Sequence, residues 1–410
     1  MRILMLAQFY PPTIGGEERH VQNLSVALAA RGHTVSVATS WQDGMPTEEY
    51  DQGVHIHRLR GSVHRVGILF SEQERRFAPP FPDPEIMLAL RHIIRDERPD
   101  VVHAHNWMVH SFTLLKKWSK AKLVMTLHDC SHACVQKRFM YQGQTLCQGP
   151  DMYRCMRCAT VFYGAAKGIP STVANRLCGG IERQAVDMFL PVSQAMVTTN
   201  QLDRYKTPFR VVPNFVPDDI ETLHDEAPTF VEQLPTGEFL LFVGDVKRDK
   251  GVDVLLQAYS ELDTQVPLVL IGRPAVDAPT HFPPRVLHLQ SWPHSAVMQA
   301  WQRCSIGLIP SLCQEACPTV AMEAMALGRP VVASHIGGLP DIVVHNETGL
   351  IVPPGDWRAL RHALHYLLDN PSLRQRMGER AKQRLGMFKA KAVVSCIEQV
   401  YQEVLEHDAD

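Results

Sequence analysis

Short apolar runs alternate with helix-length amphipathic segments along most of the chain. "RILMLA" is followed by "EERHVQNLSVALAARG", whose apolar residues recur at helical spacing until Gly32 stops them, and then by "HTVSVAT". The same alternation brings "DVVHAH", "KLVMTLH" and "MFLPVS" as further strands. A second series opens with "FLLFVGD" and continues through a helix from about Val252 to Leu262. It then adds "PLVLIG", "RVLHLQ", "SIGLIPS" and "PVVAS". Strands that are apolar throughout and separated by helices belong to parallel sheets covered on both faces. The pattern therefore predicts an α/β protein built from two Rossmann-like, doubly wound domains. The alternation breaks between Pro191 and Phe239, where "VVPNFVPDD" and "HDEAPTFVEQLPTGE" are rich in turn residues, so the second domain is expected over residues 191–389.

Composition narrows the function classes. A chain of 410 residues exceeds one ordinary core, and 45% hydrophobic with 20% charged residues is typical of a folded soluble protein. A net charge of −2 argues against a chain that coats nucleic acid, so any basic site must be local. The opening "MRILMLAQFYPPTIGG" has too short an apolar run for a signal peptide, and no stretch is long enough for a membrane span. The expected compartment is the cytoplasm, with the ten cysteines reduced or metal-bound. "LLKKWSKAK", with lysines around Trp118, raises peripheral attachment to the inner membrane face as an alternative, although such a run is more often a solvated helix face.

Two segments of the second series carry candidate chemistry. In "QEACPTVAMEAMALGRPVV", a helix is expected from about Pro318 to Leu327, because proline suits the first helical position and Gly328 ends the run. Glu315 then lies in the loop before the helix and Glu323 on its second turn. Cys317 is a poor cap, which leaves the N–H groups of Thr319 and Val320 for an outside acceptor such as a diphosphate. The bland alternative is an ordinary helix with water on its first turn. "GDVKRDKGVD" places Arg248 and Lys250 just past a strand end, where open α/β sheets bind ligands and cations neutralise phosphate. A solvated charged turn is the competing reading.

At these residues the chain resembles a known family. "PSLCQEACPTVAMEAMALGRPVVASHIGGLPDIVVHNETGLIVPPGD" is similar to the donor-site region of retaining glycosyltransferases of family four. The likeness extends through "FYPPTIGGEERHVQNLSVALAARGH", "PDVVHAHNW", "VVPNFV" and "VGDVKRDKGVDVLLQAY". It implies the GT-B fold, two Rossmann-like domains facing across a cleft. The last helical segment, Ala390 to His407, would pack back on a first domain made of residues 1–190 and 390–410. It implies transfer of a sugar from a nucleotide donor, a UDP- or GDP-sugar, to a hydroxyl acceptor that is a glycan, a lipid-linked glycan or a small molecule. The resemblance assigns Glu315 to the donor sugar, Glu323 to the ribose hydroxyls, Lys250 to the diphosphate, and Gly15 and Gly16 to a loop over it. Pro318, Thr319 and Val320 remain the helix start that meets the phosphates. His128 corresponds to the family histidine beside the donor sugar, and His105 is a candidate for the acceptor side. One position departs from the pattern: Asp245 stands where the family commonly has arginine, and Arg248 or Lys247 is expected to supply that charge.

The same likeness implies retention of configuration by front-face attack. No Asp-x-Asp metal motif is present except the closing "DAD", so no catalytic metal is expected. A glycosidase-type carboxylate pair is disfavoured by the anion site, and an oxidoreductase by the missing dinucleotide fingerprint in "AQFYPPTIGGEE". A sugar-nucleotide epimerase of the same fold, or a non-catalytic sugar-nucleotide-binding module, would share the donor pocket. Finally, Cys134, Cys147, Cys155 and Cys158 crowd into "HDCSHACVQKRFMYQGQTLCQGPDMYRCMRC" and end in Cys-x-x-Cys, the knuckle of a structural zinc site. Reduced core thiols, a disulfide or an iron–sulfur cluster are the alternatives.

Overall fold

The computed structural model describes residues 1–13, 15–65, 78–205, 207–222 and 228–406. His407, the closing Asp-Ala-Asp and part of the turn-rich stretch at 224–227 lie outside them. The chain divides into two compact units, Met1–Pro213 with Val393–Asp410, and Asn214–Ala392. Against the expected start at 191, the second unit begins only at Asn214. Phe209 bridges to Phe189 of the first sheet, and the Arg210 and Val212 N–H groups bond to Phe189 and Pro191 carbonyls, which keeps this stretch with the first unit.

The first unit holds β1 (Arg2–Leu6), β2 (Thr34–Ser40), β3 (Glu48–Asp51), β4 (Val54–Leu59), β5 (Val101–Ala104) and β6 (Lys122–Leu127). It also holds a small hairpin, β7 (Met140–Tyr141) with β8 (Thr145–Leu146), and β9 (Met188–Pro191). Its seven-stranded sheet runs β3-β4-β2-β1-β5-β6-β9. All neighbours are parallel except β3, which pairs antiparallel with β4. The apolar runs that predicted β1, β2, β5 and β6 are buried almost throughout, as strands covered on both faces must be. The chain order reverses between β1 and β5, which opens a crevice at the carboxyl ends of those two strands. The C-terminal helix, Ala390–Glu406, belongs to this unit from Val393 onward. Its Tyr401 hydroxyl meets His103 Nδ1 at 2.6 Å, and Glu403 accepts from Arg210 at 2.8 Å.

The second unit repeats the scheme with β10 (Leu240–Val243), β11 (Leu268–Ile271), β12 (Val286–Leu289), β13 (Ile306–Ile309), β14 (Val331–Ser334) and β15 (Gly349–Val352). Its six-stranded, all-parallel sheet runs β12-β11-β10-β13-β14-β15, so the order reverses between β10 and β13. Leu240, Phe242, Leu268, Leu270, Ile306 and Leu308 form the heart of its core, against the Val252–Ser260 and Trp357–Leu368 helices. Among the described residues no helix is long and apolar enough to cross a membrane.

Candidate functional site

In the second unit the candidate residues gather where the strand order reverses. After β10 the chain makes a tight 3-10 turn, Arg248–Lys250, and enters the Val252–Ser260 helix through Gly251. Gly251 has φ +74°, and a Cβ there would sit 1.8 Å from the Pro310 carbonyl oxygen beyond β13. Only glycine permits both the left-handed backbone and that approach. The Asp249 carbonyl then accepts from the Leu312 and Cys313 N–H groups at 2.9 and 3.2 Å, which fastens the turn to the loop after β13. As a result Lys250 Nζ donates to Glu315 Oε1 at 2.6 Å, and the Ser311 hydroxyl donates to the same oxygen at 2.6 Å. A third loop completes the frame: Gly338 N–H donates to the Glu315 carbonyl at 2.7 Å.

Electrostatics keep this pair charged. Burial pushes the Glu315 carboxyl upward, but the Lys250 ammonium and the bonds from Lys250 and Ser311 outweigh it, and the group stays below its ordinary value. Burial opposes the Lys250 charge in turn, yet Glu315 more than compensates and raises it above its ordinary value. The site therefore presents a fixed ammonium–carboxylate couple, with the side chains only 28% and 12% exposed.

The next helix is Thr319–Ala326, and Pro318 caps it in an extended conformation rather than forming its first turn. The expected start at Pro318 is thus one position early, and proline itself, not Cys317, occupies the capping position. Pro318 offers no side-chain acceptor, so no side chain caps the N–H groups of Thr319 and Val320. Glu323, buried on this helix, has His294 Nε2 3.1 Å from its Oε1. Asp245 lies 3.7 Å from Arg273 Nε, and Lys247 pairs with Asp249 at 3.3 Å. Arg248 is exposed, and its backbone N–H donates to Asp277 at 3.3 Å. Sequence reasoning missed Ser311, His294 and Arg273. His294 and Arg273 come from another helix and another strand end, while Ser311, four residues before Glu315 in the same loop, carries no distinguishing motif.

In the first unit, the carboxyl ends of β5 and β6 bring histidines together. His105 Nδ1 and His128 Nε2 are 3.0 Å apart, so one ring donates and the other accepts. The His20 ring stands edge-on to His128 at 4.7 Å, and His103 lies 4.3 Å from His105. His103 is held on both sides, by Tyr401 and by the Thr126 hydroxyl at 2.7 Å. Burial, reinforced by the neighbouring imidazoles, lowers His20 and His105 well below their ordinary value, and His103 to about 3. These rings are neutral at pH 7. Gly15, in extended conformation, caps the helix Gly16–Ala30, whose first turn carries Glu17 and Glu18. Burial raises the Glu17 carboxyl to about 8, against the pull of Lys137 and of the Asn106 amide, which donates to it at 2.5 Å. His20 was not singled out from the sequence, since a histidine one turn into an amphipathic helix carries no signal.

The four cysteines of the dense segment, Cys134, Cys147, Cys155 and Cys158, line one cavity of about 60 Å³ beside the β7–β8 hairpin. All four are free thiols. Burial pushes Cys134 up to about 11 and raises Cys155 also. Cys158 Sγ accepts from the Gln136 side chain at 3.0 Å and from Gln142 N–H at 3.1 Å. Among the described residues, groups of three or more potential ligands within 4.8 Å of one another are His20/His105/His128 and His55/His57/Glu97, and neither contains a cysteine. The thiols share a cavity without forming a closed shell.

Comparison with known proteins agrees with this fold. Residues 14–220 match the model of Glycosyltransferase Family 4, and residues 226–384 that of Glycosyl transferases group 1. A glycogen synthase of Mycobacterium tuberculosis is 27% identical, with 98% of this chain and 94% of that one covered. In structure, the sucrose-phosphate synthase of Thermosynechococcus elongatus superposes with a TM-score of 0.73 at 20% identity, covering 99% of each chain. Anabaena HepE, solved in complex with UDP-glucose, superposes at 0.67 with 17% identity, covering 99% of this chain and 100% of that one. With more than half its length in the family model, and with two parallel-sheet α/β units built alike, the chain is a glycosyltransferase of family 4 with the GT-B fold.

Proposed function

We propose that the chain is a retaining, hexosyltransferase-type enzyme that moves a sugar from a nucleoside-diphosphate donor to an acceptor hydroxyl without a catalytic metal ion. The observation that carries this reading is the Lys250–Glu315 couple at the β10/β13 reversal, beside a helix whose first N–H groups have no side-chain cap. A preorganised ammonium and free amides suit a leaving diphosphate, because they stabilise its charge without reorganising as the bond breaks. Lys250, Arg248 and the Pro318–Thr319–Val320 helix start are assigned to the diphosphate, Glu323 to the ribose hydroxyls and Glu315 to the sugar. Gly15, Gly16 and His128 serve the donor sugar and its phosphates, and His105 serves the acceptor. A UDP-sugar is the leading donor, by analogy with the UDP-glucose in Anabaena HepE; a GDP-sugar is the competing one.

In the reaction the anomeric C–O bond to phosphate breaks and its electron pair leaves with the diphosphate. The acceptor oxygen attacks from the same face, and its proton passes to a leaving phosphate oxygen. A neutral imidazole at His105, in contact with the His128 ring, suits sugar recognition, since it offers hydrogen bonds without competing for the phosphate charge. A structural zinc ion bracing the loop after His128 would be held by Cys134, Cys147, Cys155 and Cys158 if the four thiols drew together from their present positions around the cavity.

Screening UDP- and GDP-sugars by thermal shift and by slow donor hydrolysis identifies the donor, because a ligand stabilises in proportion to the logarithm of its saturation. NMR of the product then reads the anomeric configuration, with and without EDTA. Retention with EDTA-insensitive turnover is expected. An inverted product or a strict magnesium requirement would overturn the mechanism, and acceptor-independent conversion of the donor into an isomeric sugar nucleotide, rather than its hydrolysis, would favour an epimerase.

A further inference from the structure

Away from the residues discussed so far, the edge of the first sheet gathers another set of ionisable groups. His55 and His57 stand two positions apart on β4, so both rings project from one face of the sheet. The antiparallel partner β3 sets Glu48 opposite His57 and Tyr50 opposite His55. The Tyr50 ring stacks on His55 at 4.6 Å and 7°. Glu97, the last residue of the Pro84–Glu97 helix, reaches the same face. Its Oε1 lies 2.6 Å from His57 Nε2 and 3.5 Å from His55 Nδ1, while the Ser36 hydroxyl on β2 donates to Oε2. Glu48 approaches the opposite nitrogens, His57 Nδ1 at 3.8 Å and His55 Nε2 at 3.9 Å. One ligand atom from each of His55, His57 and Glu97 falls within 4.8 Å of the others.

We propose that His55, His57 and Glu97 form a binding site for a divalent transition metal, with zinc the best match. Two imidazole nitrogens and one carboxylate oxygen are a donor set zinc accepts with water in its fourth position, whereas calcium and magnesium prefer oxygen alone. The arrangement also has the outer partners that such sites use. Ser36 fixes one Glu97 oxygen, and Glu48 stands behind both rings, where a carboxylate orients metal-bound histidines. The side chains of His55 and Glu97 are 26% exposed, which gives an ion a path in from solvent. Bound there, the metal would tie the end of the helix to the polar edge of the sheet. The competing arrangement is a plain histidine–carboxylate strap that binds no ion.

The test uses the full chain, stripped with chelator and titrated with Zn²⁺ alone and, in parallel, with Co²⁺. Cobalt separates this site from the cysteine cavity, because thiolate ligation adds near-ultraviolet charge-transfer absorption that imidazole and carboxylate do not. The expected result is one equivalent of metal, beyond any thiolate-type equivalent at the cysteine cavity, whose cobalt absorption lacks the thiolate band and which is lost in His57→Ala and Glu97→Gln. Glu48→Gln should weaken it about 10–100-fold. Melting curves of the metal-free variants report folding, and the more exposed His55→Ala serves if His57→Ala does not fold. Unchanged stoichiometry and affinity in His55→Ala and Glu97→Gln, or a cobalt spectrum of thiolate type only, would overturn the proposal.

Discussion

The two sheets place their polar residues at equivalent points, beyond the strands where the order reverses, but fill them with opposite electrostatics. The second unit holds a charged couple, Lys250 with Glu315, each stabilising the other's ionised form. The first unit holds neutral groups: imidazoles pushed down by burial and a carboxyl, Glu17, pushed up to about 8. One topology thus supports two solutions to burying polar atoms. A charge is kept where its partner is fixed, and discharged where none of comparable strength is available.

The sharpest way to break this comparison is to remove one half of the couple. Lys250→Met is expected to lower kcat by about 10²–10³-fold, the range seen when one electrostatic donor to a developing charge is lost. It should also cost roughly 3 kcal/mol of stability, since Glu315 is left buried without its counter-ion and with only the Ser311 hydroxyl to hold it. Adding Glu315→Leu should recover most of that stability and none of the turnover. Chemical denaturation with steady-state kinetics separates the two effects, and full activity in the single variant would remove the couple from catalysis.

A smaller loss is expected on the neutral side. His128→Ala should reduce kcat/KM by about 10–100-fold, the worth of one or two good hydrogen bonds to substrate, with kcat less affected. A loss as large as that of Lys250→Met would mean the histidine carries charge in the reaction.

The units should also part company in their response to acid. His103 has a folded value of about 3 against an ordinary 6.5, so its contribution is present above pH 6.5 and is lost as pH falls toward 3. Glu315 lies below its ordinary 4.5, so the second unit keeps its contribution until pH drops under that value. Amide hydrogen exchange across pH 7 to 4 should therefore show protection failing first around β5 and β6. Simultaneous loss in both units would contradict the contrast.

The smallest effect comes as pH rises. Glu17 is held protonated, so its stabilisation is complete below pH 4.5 and disappears as pH rises through about 8. Glu17→Gln should flatten the decline in melting temperature between about pH 5 and 8 while leaving the limb below pH 4.5 unchanged.

How much of this could be read from the chain depended on whether a residue's surroundings were local. β1, β5, β10 and β13 announced themselves because strands buried on both faces are apolar throughout. β3 did not, because "EEYD" is a polar edge strand with one partner. Glu315, Lys250 and Glu323 were singled out through motif and spacing, but their partners Ser311 and His294 were not: a serine four residues away in the same irregular loop follows no pattern, and His294 arrives from a separate helix. The histidines at 105 and 128 were singled out one by one, while their contact depends on the register of β5 with β6. The cysteine density that read as a zinc knuckle sets its four thiols around one cavity, and the hydrogen bonds of Cys158 there come from Gln136 and the hairpin. Asp245 shows the same limit: Arg273, beside it, stands beyond the end of a different strand.

The return of the last helix to the first unit has a consequence for synthesis and for engineering. His103, at the centre of the first sheet, lacks one of its two partners until Tyr401 has left the ribosome. The unit that is begun first is therefore completed last, and the second unit is inserted into it rather than appended. An exchange of the second unit between relatives consequently needs two junctions, at 213/214 and at 392/393. A single crossover would pair a borrowed C-terminal helix with a foreign histidine lattice, and its damage would appear in the half of the protein that had not been changed.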